Sequence, residues 1–212
     1  MSDEMAMVMD LLWAAARNDE ASVEERRVEM DLLAGASPLA EGTVVEPVDV
    51  DGVPGEWLRP PGSSADGALL YLHGGGYVVG SVVSHRPLAS KLAAATGVPA
   101  LIVDYRMGPE DPFPAAVEDA VTAFRWLVAR GVDPARIAVA GDSAGGGLTL
   151  AMLLVLREAG GPVPGAAACI SPWTDLTMSA PSMDANTGGD PMLDRERLQW
   201  YADRYLPEGT DP

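Results

Sequence analysis

The chain is poor in the residues that crosslink secreted domains and in those that bind polyanions. Its 212 residues include one cysteine, Cys169, so no internal disulfide can form and the composition suits a reducing compartment. We read Cys169 as a buried structural thiol in an apolar strand. Fourteen Lys and Arg against 31 Asp and Glu give a net charge of -17. That balance argues against nucleic-acid and anionic-membrane partners, which need basic patches.

Long apolar runs and a basic N-terminal region are also missing. The chain opens with Asp3 and Glu4, and no apolar run is long enough to cross a bilayer. We therefore expect a cytoplasmic location and no membrane partner. What is present is ordinary for a globular protein: 48% hydrophobic and 21% charged residues in a length that fits one domain with a sizeable core.

The stretch 137–148 reads as a short buried strand, a tight turn and a helix. Ser143 lies at the turn between Gly141 and Gly145, in the pattern G-x-S-x-G. Small residues are needed there because such a turn requires unusual backbone angles and close approach of strand and helix. The turn exposes the serine oxygen, and the helix N-terminus directs free N–H groups towards it. In a chain with 23 glycines the pattern alone is a weak signal.

A second glycine-rich motif strengthens that signal. The apolar run 68–72 leads directly into His73-Gly74-Gly75-Gly76, the type of loop that accompanies a nucleophile elbow. Successive glycines leave backbone N–H groups unobstructed, as a site that holds a developing oxyanion requires. The two motifs together predict a serine-dependent acyl-transfer site.

Strands and helices alternate along most of the chain. Two helices come first, the second opened by a capping box of Ser22 and Glu25. Segments 43–50 and 55–59 flank an Asp-Gly turn and predict an antiparallel hairpin at a sheet edge. Further on we expect strands at 68–72, 99–105, 136–140 and 166–171 and helices at 85–95, 114–129, 144–156 and 194–205. Such alternation implies crossover connections and a mostly parallel sheet.

Four motifs carry a family resemblance. They are Leu72-His-Gly-Gly-Gly-Tyr, Asp104-Tyr-Arg-Met-Gly-Pro-Glu, Phe113-Pro-Ala and Gly141-Asp-Ser-Ala-Gly-Gly. Together they resemble the hormone-sensitive-lipase family of α/β-hydrolase esterases, over most of residues 43–178. The chain departs from the family pattern at Met107-Gly108, Asp111 and Gly147, where Leu-Ala, His and Asn are more usual. These positions lie beside the chemistry and leave the assignment intact.

The resemblance implies an α/β-hydrolase fold, with helices on both faces of the sheet and a helical cap, and a carboxylic-ester hydrolase without metal or cofactor. The expected segments are a first cap segment at 1–42, the core at 43–178 and a second cap segment at 179–212. The cap helices either contact the acyl chain or merely cover the core. The aromatic residues Trp200, Tyr201 and Tyr205 correspondingly line an acyl pocket or form an ordinary packed face.

The same resemblance assigns roles to the site residues. Ser143 is the expected nucleophile, and the N–H groups of Gly75, Gly76 and Ala144 are the expected oxyanion donors. His73 and Gly74 shape the oxyanion loop, and Asp142 supports the elbow. The substrate is an ester, and we expect short acyl groups.

The catalytic acid and base are not apparent in these residues. The α/β-hydrolase order is Ser, then Asp or Glu, then His, whereas His73 and His85 both precede Ser143. We expect His85 to cap or pack a helix. In the family the last two sheet strands carry the acid and base loops, and neither strand is recognisable here. We therefore expect the 212 residues alone to be inactive. Strand 166–171 would then be a free sheet edge, which we expect to be completed by a homo-oligomer partner or a complementing C-terminal segment.

Two other functions fit the same scaffold. One is a non-catalytic small-molecule binder, as in plant gibberellin receptors, which resemble this family but lack the histidine. Intact Ser143 and the glycine loop favour the enzyme. The other is a related amidase or thioesterase, which shares the acyl-transfer machinery and is not separable by sequence.

Overall fold

The structure is a computed structural model that describes residues 2–15, 21–186 and 188–210. Its helices are α1 (Asp3–Ala15), α2 (Val23–Gly35), α3 (Val82–Thr96), α4 (Ala115–Ala129), α5 (Ala144–Glu158), α6 (Ser182–Ala185) and α7 (Arg195–Tyr205). Its strands are β1 (Val44–Val50), β2 (Val53–Arg59), β3 (Ala68–Leu72), β4 (Ala100–Val103), β5 (Ile137–Asp142) and β6 (Ala166–Ile170). None of the helices in these ranges is both long and apolar enough to span a bilayer.

One six-stranded sheet organises the molecule, in the order β1-β2-β4-β3-β5-β6. The β1–β2 hairpin is antiparallel and joins β4 in antiparallel register, while β4, β3, β5 and β6 run parallel. Strand β3 lies between β4 and β5, and all five of its residues are buried. The predicted edge hairpin and mostly parallel sheet are both confirmed.

Helices cover both faces of the sheet, as the family resemblance implies. On one face Leu70 and Leu72 of β3 pack with Phe124 of α4 and Leu148 of α5. On the other face Leu69 and Tyr71 pack with alanines of α3. Because side chains alternate along a strand, a run that is apolar at every position fits a strand covered on both sides.

The two N-terminal helices precede the sheet. The predicted capping box is present at α2, where Ser22 Oγ accepts from the Glu25 N–H and the Glu25 carboxylate accepts from the Ser22 N–H. Helix α2 packs against α3. The boundaries of the cap segments, at 42 and 178, remain predictions.

Strand β6 is the sheet edge furthest from the hairpin. Within the described ranges it pairs only with β5, and most of its residues are exposed. In the described residues no strand follows it. Cys169 is therefore half-buried, which corrects the expected buried thiol: a strand with one neighbour and little covering its faces cannot exclude solvent. Desolvation still raises the pKa of this thiol above its ordinary value.

Candidate active site

Ser143 lies on a strained turn between β5 and α5. Its backbone angles are φ 50° and ψ -119°, which non-glycine residues rarely adopt. A Cβ on Gly141 would lie 2.3 Å from the Gly145 carbonyl oxygen, and a Cβ on Gly145 would lie 2.0 Å from that of Leu72. Both glycines of G-x-S-x-G are therefore required by close backbone approach.

The turn also leaves donors free at the start of α5. The Gly147 N–H is the first to reach an acceptor within the helix, the Ser143 carbonyl, at 3.1 Å. The N–H groups before it, beginning with that of Ala144, have no acceptor inside the helix because a helix leaves its first donors unpaired. They lie beside the serine at the positive end of the helix dipole.

The glycine-rich loop after β3 is fastened to the elbow by Asp142. The Gly74 N–H donates to Asp142 Oδ1 at 3.0 Å, and the Tyr71 hydroxyl donates to the same oxygen at 2.7 Å. His85 Nε2 lies 3.5 Å from Asp142 Oδ2. Burial raises the pKa of Asp142, but its contacts with His85, Tyr71 and Gly74 outweigh burial and leave the pKa below its ordinary value. A charged Asp142 therefore holds the loop beside Ser143.

The loop itself follows an irregular path. Gly75, Gly76 and Tyr77 all have positive φ, of 122°, 63° and 61°. The Gly75 carbonyl accepts from the N–H groups of Val78 and Val79, at 3.1 and 2.9 Å. These bonds fix the plane of the peptide that carries the Gly76 N–H.

His73 is fully buried, and its ring contacts Tyr105 and Gly74. Its ring stacks on Tyr105 with centroids 4.2 Å apart, and its Nδ1 lies 2.8 Å from the Gly74 carbonyl oxygen. Its Nε2 has no hydrogen-bond partner in the described part of the chain. Burial first, and the neighbouring His85 second, lower the pKa of His73 to about 3. The ring is therefore neutral, with Nδ1–H as donor to Gly74.

His85 lies inside the same network. Its Nδ1 lies 2.9 Å from Ser84 Oγ, and its Nε2 faces Asp142. Among the described residues no hydrogen bond joins either histidine to the Ser143 hydroxyl. The expectation that His85 packs on its helix agrees with this arrangement, but its pairing with Asp142 was missed. The two residues lie far apart in sequence, and no local pattern signals the contact.

Helix α7 lies against the glycine loop. A Cβ on Gly76 would come within 2.5 Å of the Tyr201 ring, and the Tyr205 ring stacks on Tyr77 with centroids 4.0 Å apart. Tyr205 is buried, whereas Tyr201 is half-exposed. Tyr205 is therefore a packed residue, and Tyr201 lies against Gly76 of the glycine loop. An acyl pocket lined by the α7 aromatics stays a prediction.

The family model for the α/β-hydrolase fold matches residues 69–212. The chain belongs to this family. It is 43% identical to an esterase of the bacterial hormone-sensitive lipase family, whose crystal structure superposes with a TM-score of 0.95 over 99% of this chain and 71% of that one. The predicted fold and the resemblance to the hormone-sensitive-lipase branch are confirmed.

Two sequence relatives place this α/β-hydrolase among ester-cleaving proteins. An acetyl-hydrolase from Streptomyces hygroscopicus is 44% identical over 212 residues, all of this chain and 70% of that protein. An ethyl acetate hydrolase from Pseudomonas putida is 42% identical over 169 residues, 75% of this chain and 52% of that protein. The chain thus spans about half to seven tenths of these relatives' lengths.

In the described ranges no three acidic, histidine or cysteine side chains cluster closely enough to hold a metal ion. What the hydrolase brings together is a serine on a strained turn, a helix N-terminus and a glycine loop tied to that turn by one carboxylate.

Proposed function

We propose that this α/β-hydrolase cleaves carboxylic esters through an acyl-enzyme on Ser143. One observation carries the proposal: Asp142, the neighbour of the strained Ser143, accepts a hydrogen bond from the Gly74 N–H and so ties the glycine loop to the serine turn. The relatives named as acetyl-hydrolase and ethyl acetate hydrolase support the same chemistry.

The proposed reaction has two steps. Ser143 Oγ loses its proton to a general base and forms a bond to the ester carbonyl carbon, whose oxygen becomes an anion. The N–H groups of Gly75, Gly76 and Ala144 stabilise that anion. Collapse breaks the bond to the alcohol, which leaves with the proton, and water then attacks the acyl-enzyme in the same way. Donors fixed in advance stabilise such an anion without reorganising during the reaction.

We assign the general base to residues outside these 212. His73 is buried with a low pKa, and the buried His85 is engaged by Ser84 and Asp142. These are the only histidines of the sequence. Because the outer edge of β6 is free among the described residues, we propose that a further strand pairs with it. This strand would come from a continuation of the chain, a second polypeptide or another copy.

Short acyl groups are the proposed substrates. Tyr201 of α7 lies directly against Gly76, so the cap restricts the space beside the oxyanion site. The two relatives named for acetyl esters support this choice.

The test compares p-nitrophenyl acetate turnover by the protein made from its whole gene with turnover by the 212 residues alone. We expect turnover in the first, abolished by Ser143→Ala, and none in the second. His85→Ala serves as the control for the base. If the 212 residues show ester turnover that Ser143→Ala abolishes, a base lies among them and our assignment is wrong. A whole-gene protein that binds an ester without Ser143-dependent turnover would instead fit a binding protein.

A further inference from the structure

Arg27 of α2 connects the first cap segment to the glycine loop. Its Nε donates to the Val78 carbonyl at 2.8 Å and its Nη2 to the Gly108 carbonyl at 2.9 Å. Its Nη1 and Nη2 also hold the Glu110 carboxylate in a bidentate pair, at 2.9 and 2.8 Å. The hydrogen bond from Arg27 lowers the pKa of Glu110. The planar fork of a guanidinium is needed to serve all three partners at once.

The Val78 carbonyl belongs to the Val78–Val79 peptide, which a hydrogen bond connects to the candidate oxyanion loop. The N–H of that same peptide, on Val79, donates to the Gly75 carbonyl at 2.9 Å. The Gly75 carbonyl in turn shares its peptide with the Gly76 N–H. Neither peptide is among the cis bonds of the chain, so in each the N–H points opposite to the C=O. Arg27 thus stands at one end of a two-peptide relay that ends at the Gly76 N–H.

The direction of this relay is favourable electrostatically. The Arg27 cation contacts the Val78 carbonyl, which is the negative end of the Val78–Val79 peptide dipole. The positive end of that dipole, the Val79 N–H, contacts the Gly75 carbonyl, which is the negative end of the Gly75–Gly76 peptide dipole. Hydrogen bonds aligned head to tail polarise one another, by roughly 10–30% per bond. The Gly76 N–H, at the end of this relay, therefore becomes a stronger and better-oriented donor.

A second contact fixes the loop from its other side. The Gly108 N–H donates to the Tyr77 carbonyl at 2.9 Å, and Arg27 holds the Gly108 carbonyl. Arg27 is therefore bonded to the loop directly at Val78 and through Gly108 at Tyr77. The Arg27 side chain is 27% exposed, so these bonds are partly shielded from water.

We infer that Arg27 is a positioning residue for the oxyanion hole, acting on the Gly76 N–H through the Val78–Val79 and Gly75–Gly76 peptides. The inference rests on the proposed ester hydrolysis. It predicts that Arg27 affects transition-state stabilisation more than substrate binding, although it lies on a cap helix and touches no reacting atom.

The experiment uses the whole-gene protein and p-nitrophenyl acetate. Arg27→Gln should lower kcat roughly 5- to 30-fold, less than the roughly 10²–10³ that loss of one whole donor costs, with KM changed less than about twofold. Arg27→Lys keeps the charge without the fork and should be intermediate. Arg59→Gln is the matched control, because Arg59 pairs with Glu46 at 2.8 Å on the edge hairpin. It should leave both constants unchanged.

Glu110→Gln separates positioning from docking of the cap helix. This variant removes the ion pair but leaves both carbonyl contacts of Arg27, so we expect a loss of less than about threefold. A loss as large as that of Arg27→Gln would mean that the ion pair alone matters, which overturns the inference. An unchanged kcat in Arg27→Gln, or in Arg27→Lys if the Gln variant does not fold, also overturns it.

Amide hydrogen exchange distinguishes this failure from failure of the proposed function. The Val79 amide should exchange faster in Arg27→Gln than in the parent or in Arg59→Gln, whether or not the protein is active. Unchanged Val79 exchange overturns the relay. Turnover that survives in Ser143→Ala overturns the proposed function and leaves the relay to be decided by the exchange result.

Discussion

Replacing Gly145 with alanine would place a methyl group where the elbow helix crosses β3. The new Cβ would lie 2.0 Å from the Leu72 carbonyl oxygen and 2.5 Å from that of His73. Both are backbone atoms of the central strand and its exit, so no side chain can move aside. The φ of Gly145 is not in the left-handed region, so backbone strain adds nothing to the clash.

The cost follows from the shift that the clash requires. Real Cβ contacts are essentially never shorter than 3.0 Å, so the strand and helix must separate by at least 1 Å at this point. Overpacking of this kind costs typically 1–3 kcal/mol, and the upper end, about 3 kcal/mol, applies where only backbone can yield. The same shift moves Ser143 relative to the Gly74 loop, so turnover should fall even at temperatures where the variant stays folded.

Urea unfolding provides the measurement, with Gly161→Ala as control. A Cβ on Gly161 meets nothing within 4 Å and its φ is not left-handed. That substitution should therefore be neutral or stabilise by roughly 0.4–1 kcal/mol. If the unfolding free energy of Gly145→Ala lies within about 0.5 kcal/mol of the parent value, α5 and β3 do not approach each other as closely at Gly145 as the 2.0 Å contact requires.

Three further predictions concern pH, the oxyanion loop and substrate length. Because the pKa of His73 is about 3 when folded and 6.5 in its ordinary state, the unfolded chain binds an extra proton between these values. The free energy of unfolding should fall as pH drops through that window, by up to roughly 1.4 kcal/mol per pH unit. In His73→Gln, urea unfolding should show a weaker pH dependence of this free energy, and an unchanged dependence would refute the assigned neutral ring. Gly76→Val, which would drive a side chain into Tyr201, should lower kcat of the whole-gene protein by roughly 10²–10³, and an unaltered kcat would show that the donor is misplaced. Across p-nitrophenyl esters, rates should fall with acyl length, and a rise towards long chains would contradict the short-acyl proposal.

Local chemistry explains which parts of the fold were predictable. The elbow strand, the Ser22 capping box and the Asp-Gly hairpin each depend on residues adjacent in sequence, and the structure contains all three. Parallel pairing followed from the alternation of strands and helices. The start of α3 was predicted three residues late, since its N-cap is Ser81 and its capping box uses Ser84 instead of the usual acidic residue.

Contacts between distant segments were not predictable in the same way. The His85–Asp142 pair and the hydrogen bond from Arg27 to the Val78 carbonyl join residues that share no spacing or motif. The half-buried state of Cys169 depends on what covers β6, and the apolar sequence of that strand does not report it. The candidate site was therefore predictable as a nucleophile and a donor loop, but not as the network that holds them together.

Trapping the acyl-enzyme tests the central claim most directly. The whole-gene protein is mixed with p-nitrophenyl acetate, quenched in acid within its first turnovers, digested and weighed by mass spectrometry. We predict one acetyl group on the peptide that contains Ser143, and none in Ser143→Ala, which should also be inactive. Steady ester turnover in Ser143→Ala, or an acetyl group that tracks turnover on a different residue, would contradict the account.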